Sequence, residues 1–161
     1  EEPAPQFYVG LEVVSDRLGY FSVTVPEGWW AMSRPGRETV RLADFDLEKQ
    51  DPPVTGAAFM DILVADLLPG QDIKSILTRE IELARTNPDG LEAASNIVFE
   101  DVIEAKFVGL EGMAFRAHPP EMINFAAVID KEHYLVVRTY DTRLRGGHSS
   151  SAFDAVTVTL H

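Results

Sequence analysis

Apolar and polar residues alternate over most of this chain, which is the pattern of β-strands that bury one face. Two such segments, residues 7–14 and 20–25, flank the turn-like sequence Asp16-Arg17-Leu18-Gly19, so we expect them to form a hairpin. Segment 57–66 has apolar residues at both odd and even positions, which point to opposite faces of a strand. This pattern predicts a central strand covered on both faces. Further strands are predicted at residues 39–45, 97–108, 113–118, 122–129, 134–140 and 156–160.

One segment instead follows the helical period of 3.6 residues. It predicts a helix over residues 72–86, with Asp72 as its N-cap and Asn87-Pro88-Asp89-Gly90 as its stop signal. A second, short helix is expected at residues 149–155. The apolar stripe of the first helix consists of Ile73, Ile76, Leu77, Ile81 and Ala84.

The connectors between the later strands are short, which favours an antiparallel meander. Mostly consecutive strands with few helices predict an α+β fold, in which helices flank an antiparallel β-sheet. At 161 residues the chain has the length of one domain. We expect a flexible N-terminal tail at residues 1–6 and a single domain at residues 7–161.

Part of the first hairpin resembles a known family. The run Gly19-Tyr20-Phe21-Ser22-Val23-Thr24-Val25-Pro26-Glu27-Gly28-Trp29 is similar to the Gly-x-Phe-x-Val-x-x-Pro-x-Gly-Trp run of PsbP-like domains. The segment Val108-Gly109-Leu110-Glu111-Gly112 resembles their Gly-x-x-Gly hairpin. The resemblance implies an α-β-α sandwich. It also implies an adaptor or binding module, the role of most members, which include DcrB-type exported lipoproteins.

Composition and charge argue against several classes of function. The chain has 26 acidic and 14 basic residues and a net charge of −12, which opposes binding to nucleic acid or anionic lipid. It has no cysteine, hence no disulfide and no cysteine nucleophile. No apolar run reaches the roughly 20 residues of a transmembrane helix. No phosphate-binding glycine loop or dinucleotide motif is present, so no cofactor is expected.

The first residues, Glu-Glu-Pro-Ala-Pro-Gln, are polar and proline-rich. This composition suits a tether that is exposed once a signal or lipoprotein leader is removed, with a lipid anchor upstream of residue 1. It predicts an extracytoplasmic protein, either periplasmic or a cell-surface lipoprotein. It also suits a chain trimmed to its ordered core, so a cytoplasmic location stays open as the alternative.

Three acidic residues form the candidate metal site. Asp44, Asp46 and Glu48 would point to one side of a strand, where their oxygens could bind Ca²⁺. The alternative is a solvated strand edge whose charges discourage edge-to-edge pairing.

A candidate anion site follows residue 141. Arg143, Arg145 and a glycine pair precede a predicted helix N-terminus, an arrangement that can bind an anion. His148 and the serines at 149–151 also suggest a serine hydrolase, but neighbours in sequence rarely reach each other as nucleophile and base. The alternative is a glycine loop followed by a helix capping box.

The tryptophan pair is a candidate partner surface. Trp29 is expected in the core and Trp30 on the opposite side, where exposure beside Met32 would mark a binding surface. The alternative is that both tryptophans are packed.

A last candidate lies on the later strands. Simple hairpin registers would bring Arg116, Asn124 and Thr139 near one another, either as a pocket floor or as a solvated row. Carboxylates such as Glu80 and Glu82 are interpreted as facing water.

Together these features predict a non-catalytic, exported binding or accessory domain that presents a sheet face or a cleft to a protein partner or a small ligand. One alternative is a cytoplasmic chaperone or adaptor for a secreted effector, which needs an exposed apolar groove. The other is a serine hydrolase that uses His148. The sequence does not indicate an oligomeric state.

Overall fold

The computed structural model describes residues 4–16, 18–33, 39–49, 57–86, 97–118, 121–141, 153 and 156–161. These residues form twelve strands and one helix. The strands are β1 (Gln6–Val9), β2 (Val13–Ser15), β3 (Phe21–Thr24), β4 (Trp30–Ser33), β5 (Thr39–Ala43), β6 (Ala58–Asp66), β7 (Val98–Phe99), β8 (Ile103–Phe107), β9 (Leu110–His118), β10 (Glu121–Val128), β11 (His133–Asp141) and β12 (Thr157–Leu160). The helix is α1 (Ile73–Thr86).

Nine strands form a large antiparallel sheet. Its order is β1-β4-β5-β6-β11-β10-β9-β7, and β8 also pairs with β9. The consecutive pairing of β9, β10 and β11 confirms the predicted meander. Strands β6 and β11 lie near the middle of the sheet, and residues of both parities are buried along β6. The prediction of a central strand covered on both faces is therefore confirmed.

The remaining three strands form a small sheet in the order β12-β3-β2. Its apolar face contributes Phe21, Val23 and Val158 to a core cluster that also contains Leu42 and Ile62 of the large sheet. The two sheets therefore pack face to face.

The chain passes from one sheet to the other at residues 10–12. Strand β1 pairs with β4 in the large sheet, whereas β2 pairs with β3 in the small one. The backbone is crowded at this crossing, because a Cβ on Gly10 would lie 2.5 Å from the carbonyl oxygen of Pro26. The predicted hairpin is confirmed for β2 and β3 but wrong for residues 7–9, since alternation shows that a strand exists and not which strand it joins.

The predicted α+β fold, with helices flanking the sheet, is wrong, because the described residues are mostly strand and contain only one helix. Helix α1 covers one face of the large sheet and the small sheet covers the other. Alternate residues of strand β3 are buried, so this strand has one apolar face. That face packs on the large sheet, where a second helix layer was expected. The second predicted helix lies outside the described residues, apart from Phe153. None of the described ranges holds a helix long and apolar enough to cross a bilayer.

Helix α1 begins where the sequence predicts. The Asp72 carboxylate accepts a hydrogen bond from the Ser75 backbone N–H at 2.8 Å, and Ser75 Oγ accepts one from the Asp72 backbone N–H at 3.0 Å. This reciprocal pair caps the N-terminus, as predicted for Asp72. Ile76 and Leu77 share a core cluster with Val136 of β11, which confirms that the apolar stripe faces the sheet.

Glu80 lies within that stripe and is only 5% exposed, so its interpretation as water-facing is wrong. Its carboxylate accepts hydrogen bonds from the Arg138 guanidinium at 2.5 and 2.9 Å and from Asn124 Nδ2 at 3.0 Å. Burial by itself lowers the pKa of Arg138, but the hydrogen bonds and the charge of Glu80 raise it above its ordinary value. A buried, charge-assisted contact thus fixes α1 to β10 and β11.

A second ion pair continues this row across the sheet. Arg138 lies opposite Asp61 of β6, and Asp61 lies opposite Arg41 of β5. The Arg41 guanidinium donates to the buried Asp61 carboxylate at 2.7 and 2.8 Å. Two cations and two anions therefore alternate along this row, so their charges neutralise one another.

A polar cluster joins the start of β3 to the turn between β10 and β11. The Tyr20 hydroxyl lies 2.8 Å from His133 Nδ1 and donates to Asp130 Oδ2 at 3.0 Å. A hydrogen bond from the Glu132 backbone N–H is the main cause that lowers the pKa of Asp130, although desolvation opposes it. Desolvation, followed by the contact with Asp130, raises the pKa of Tyr20. The cluster therefore ties the small sheet to the large one.

We expect Glu80→Ala to lower the free energy of unfolding by about 3 kcal/mol, because it leaves the Arg138 guanidinium without its carboxylate. Arg79→Ala, at the exposed neighbouring position, should change it by less than about 0.5 kcal/mol. Urea denaturation followed by circular dichroism measures both values. Equally small losses for the two variants would contradict a buried ion pair beneath α1.

Candidate functional site

A cavity of about 230 Å³ lies on the face of the large sheet that also carries the small sheet. Residues of β8, β9, β10 and β11, together with Phe153, line it. Its apolar walls include Phe107, Ile123, Phe125, Val137 and Phe153. The ring of Trp29 packs edge-on against Phe153 of this wall, with 5.9 Å between the ring centroids.

Strand register arranges the lining residues in three successive rows. Because these positions are two residues apart along their strands, they share one face. The rows are Glu121 opposite Asp141, Ile123 opposite Thr139, and Phe125 opposite Val137. The cavity therefore changes along β10 from a pair of carboxylates to an aromatic, apolar end.

Glu121 forms the polar end and its side chain is only 2% exposed. Its Oε1 accepts a hydrogen bond from Arg116 Nε at 2.9 Å and a second, short one from Arg116 Nη2. Its Oε2 has no hydrogen-bond partner, the only such buried side-chain atom in the described part of the chain. An unpaired buried acceptor costs free energy, and native proteins rarely keep one without a reason.

A second carboxylate stands beside it. Asp141 is 4% exposed and lies directly opposite Glu121, a position in which like charges repel. In the next row the Thr139 hydroxyl donates to the Ile123 carbonyl at 3.3 Å. Lys106 also lines the cavity, but its side chain is 69% exposed and its Nζ lies 3.6 Å from a Glu111 carboxylate oxygen. The buried end of the cavity is thus an acceptor site.

The structure brings together two members of the predicted row. Arg116 and Thr139 both lie opposite Ile123 and belong to the cavity side. Asn124 is one position further along β10, so its side chain projects to the other face and binds Glu80. A difference of one residue in register moves a side chain through the sheet, which sequence alone does not fix.

Trp30 lies on β4 and is half-buried against the core cluster beneath α1. Trp29 is half-buried against the other cluster, on the cavity side. The two rings therefore point to opposite layers, as their adjacent positions predict. A partner surface around Trp30 stays a prediction.

The candidate calcium ligands follow β5 and do not lie in a strand, because β5 ends at Ala43. The alternation that would align them is therefore absent. Asp44 Oδ1 accepts the Ala58 backbone N–H at 3.0 Å, and Asp46 Oδ1 accepts the Glu48 backbone N–H at 3.0 Å. No group of three or more acidic or histidine side chains among the described residues is arranged to hold a metal ion.

The candidate anion site lies outside the described residues. Arg143, Arg145, His148 and the serines at 149–151 all fall there, so anion binding and the hydrolase stay predictions. The other three histidines have local contacts: His133 contacts Tyr20, His118 Nε2 lies 3.5 Å from a Glu100 carboxylate oxygen, and His161 Nε2 lies 3.0 Å from Ser22 Oγ.

Sequence reasoning missed Glu121 and Asp141, although a signal was present. The predicted strand 122–129 begins one residue after Glu121, and the predicted strand 134–140 ends one residue before Asp141. Extending the alternation by one residue places Glu121 on the face of Ile123 and Phe125, and Asp141 on the face of Val137. Acidic residues are usually solvated, so a carboxylate at a strand end does not by itself indicate a buried pair.

Comparison of this chain with protein-family models, with curated proteins and with solved structures finds no match.

Replacing Arg116 by Met should lower the free energy of unfolding by about 3 kcal/mol at neutral pH, because Oε1 of the buried Glu121 would lose its donors and neither carboxylate oxygen would then have one. Lys106→Met removes the same charge from an exposed pair and should cost less than about 1 kcal/mol. Chemical denaturation of both variants is the measurement. A loss for Arg116→Met no larger than that for Lys106→Met would show that the Glu121 carboxylate is already satisfied by another group.

Proposed function

We propose that this chain is a non-catalytic binding domain that holds a small, largely apolar ligand in the cavity between β8 and β11. The observation that carries the proposal is the cavity itself, whose apolar walls end at a buried carboxylate oxygen that lacks a partner among the described residues. Apolar walls with a few polar groups that fix orientation are the usual composition of small-molecule sites.

The size of the cavity limits the ligand. An engineered, dry cavity of about 150 Å³ binds benzene. A cavity of about 230 Å³ therefore accommodates an aromatic ring with a short side chain. The rings of Phe107 and Phe125, with centroids 5.9 Å apart, offer edges and faces against which such a ring can pack.

The remaining parts of the expected function rest on sequence alone. An extracytoplasmic location, a protein partner and kinship with PsbP-like domains stay predictions. A chaperone for a secreted effector would need a long apolar groove for a client helix. A compact cavity favours a small ligand over such a client.

The experiment compares two tryptophan substitutions on β8. Ala105 lines the cavity, so Ala105→Trp should fill it and weaken binding of a neutral aromatic probe, 2-phenylethanol, by at least about 10-fold. Glu104 is exposed and adjacent on the same strand, so Glu104→Trp is the matched control and should bind as the parent does. Amide chemical-shift titration by NMR measures the affinity and the location, and the same spectra show that each variant is folded.

We expect saturable shifts at β8, β10 and β11 in the parent protein and in Glu104→Trp. Equal binding by folded Ala105→Trp would show that the probe binds elsewhere. The absence of saturable binding to the parent protein would reject the cavity as a ligand site.

A further inference from the structure

We infer that the ligand of this cavity is a cationic amine with an apolar body, and that Glu121 Oε2 accepts a hydrogen bond from its ammonium group. The inference rests on the proposed function and adds the chemical class of the ligand. It starts from one atom, because Oε2 is the sole buried side-chain acceptor that lacks a donor in the described part of the chain.

Arg116 contacts only one of the two Glu121 oxygens. Its Nε and its Nη2 both donate to Oε1, so the two donors that face Glu121 are used on one oxygen. A bidentate pair would place one donor on each oxygen, as Arg41 does with Asp61. Both oxygens of Asp61 thus have an arginine donor, whereas only one oxygen of Glu121 does.

Glu121 borders a space that can hold a partner. Glu121 lines the cavity, and its side chain is only 2% exposed. An ionised carboxylate only accepts hydrogen bonds, so the missing partner must be a donor. A group that enters through the cavity is therefore selected for its N–H or O–H.

Charge favours an ammonium over a neutral donor. An ammonium donor adds to its hydrogen bond the Coulombic attraction between opposite charges, which a neutral O–H donor lacks. Asp141 stands directly opposite Glu121 and adds a second negative charge to this end of the cavity. An ionised carboxylate ligand offers no hydrogen-bond donor to Oε2 and is disfavoured. Primary amines keep their proton at neutral pH, because the pKa of such a group in water is about 10.

The rest of the cavity matches the other end of such a molecule. Phe107, Phe125 and Phe153 supply aromatic surface beyond the row of Ile123 and Thr139. Burial of an aromatic ring there gives affinity, and the single open acceptor gives orientation. A ring joined to an ammonium group by a short chain satisfies both ends.

The test uses three probes with a phenyl ring on a short chain. They are 2-phenylethylamine, 2-phenylethanol and 3-phenylpropanoate, which carry a cation, a neutral donor and an anion. We expect the parent protein to bind the amine about 10- to 100-fold more tightly than the alcohol, with the carboxylate weakest. Amide chemical-shift titration gives all three affinities and shows whether they share the cavity.

Glu121→Gln should abolish the preference for the amine and leave the affinity for the alcohol within about 3-fold. The matched control is Glu111→Gln, which changes an 80% exposed carboxylate and should keep the full preference. If Glu121→Gln does not fold, the double variant R116M/E121M removes the ion pair as a unit and serves in its place.

The outcomes separate the two proposals. If the alcohol binds in the cavity and the amine binds no better, the cationic ligand is rejected and the cavity remains a binding site. If the carboxylate binds best, the inference is also rejected. If no probe binds, the proposed function fails as well. A retained preference in folded Glu121→Gln would show that another group receives the ammonium.

Discussion

Burial of the large sheet on both faces requires that every polar side chain on its central strands has a partner. Strands β6 and β11 contribute side chains to the core clusters on both faces of the sheet, so the charges that they carry lie largely out of reach of water. On the helix side the requirement is met by Glu80 with Arg138 and by Asp61 with Arg41. Each anion there has a cation of matching geometry, and α1 is positioned by one of these contacts.

Strands β10 and β11 differ in how the polar side chains on their two faces are paired. Asn124 and Arg138 project toward α1, whereas Glu121 and Asp141, three positions away on each strand, project into the cavity. The helix face is satisfied within the chain, and the cavity face leaves one oxygen open. Because alternation along one pair of strands separates the two faces, a rigid scaffold and a ligand site can share the same backbone. The packed ion pairs on one side then fix the positions of the binding groups on the other.

Alternation and helical period predicted the local elements but not their assembly. The helix, its Asp72 cap and the meander of β9, β10 and β11 follow from short-range patterns that the structure confirms. Alternation does not state which sheet a strand joins, so β2 and β3 were assigned to one sheet with β1. Glu80 lies three residues after Leu77 and four residues before Ala84, so helical spacing places it within the apolar stripe. Its partner Arg138 is distant in sequence, and spacing does not identify it. Pairing of distant charges and the direction of a side chain at a strand end depend on register, which the sequence leaves open.

The most direct test of the central claim is the contact between Glu121 and a bound amine. Isotope-filtered NMR of the complex with 2-phenylethylamine measures nuclear Overhauser effects between ligand and protein protons. We predict effects from the methylene beside the nitrogen to the γ protons of Glu121 and from the ring to Phe125. Effects from the ring to Glu121, or from any ligand proton to Tyr140 on the α1 face of the sheet, would contradict the account.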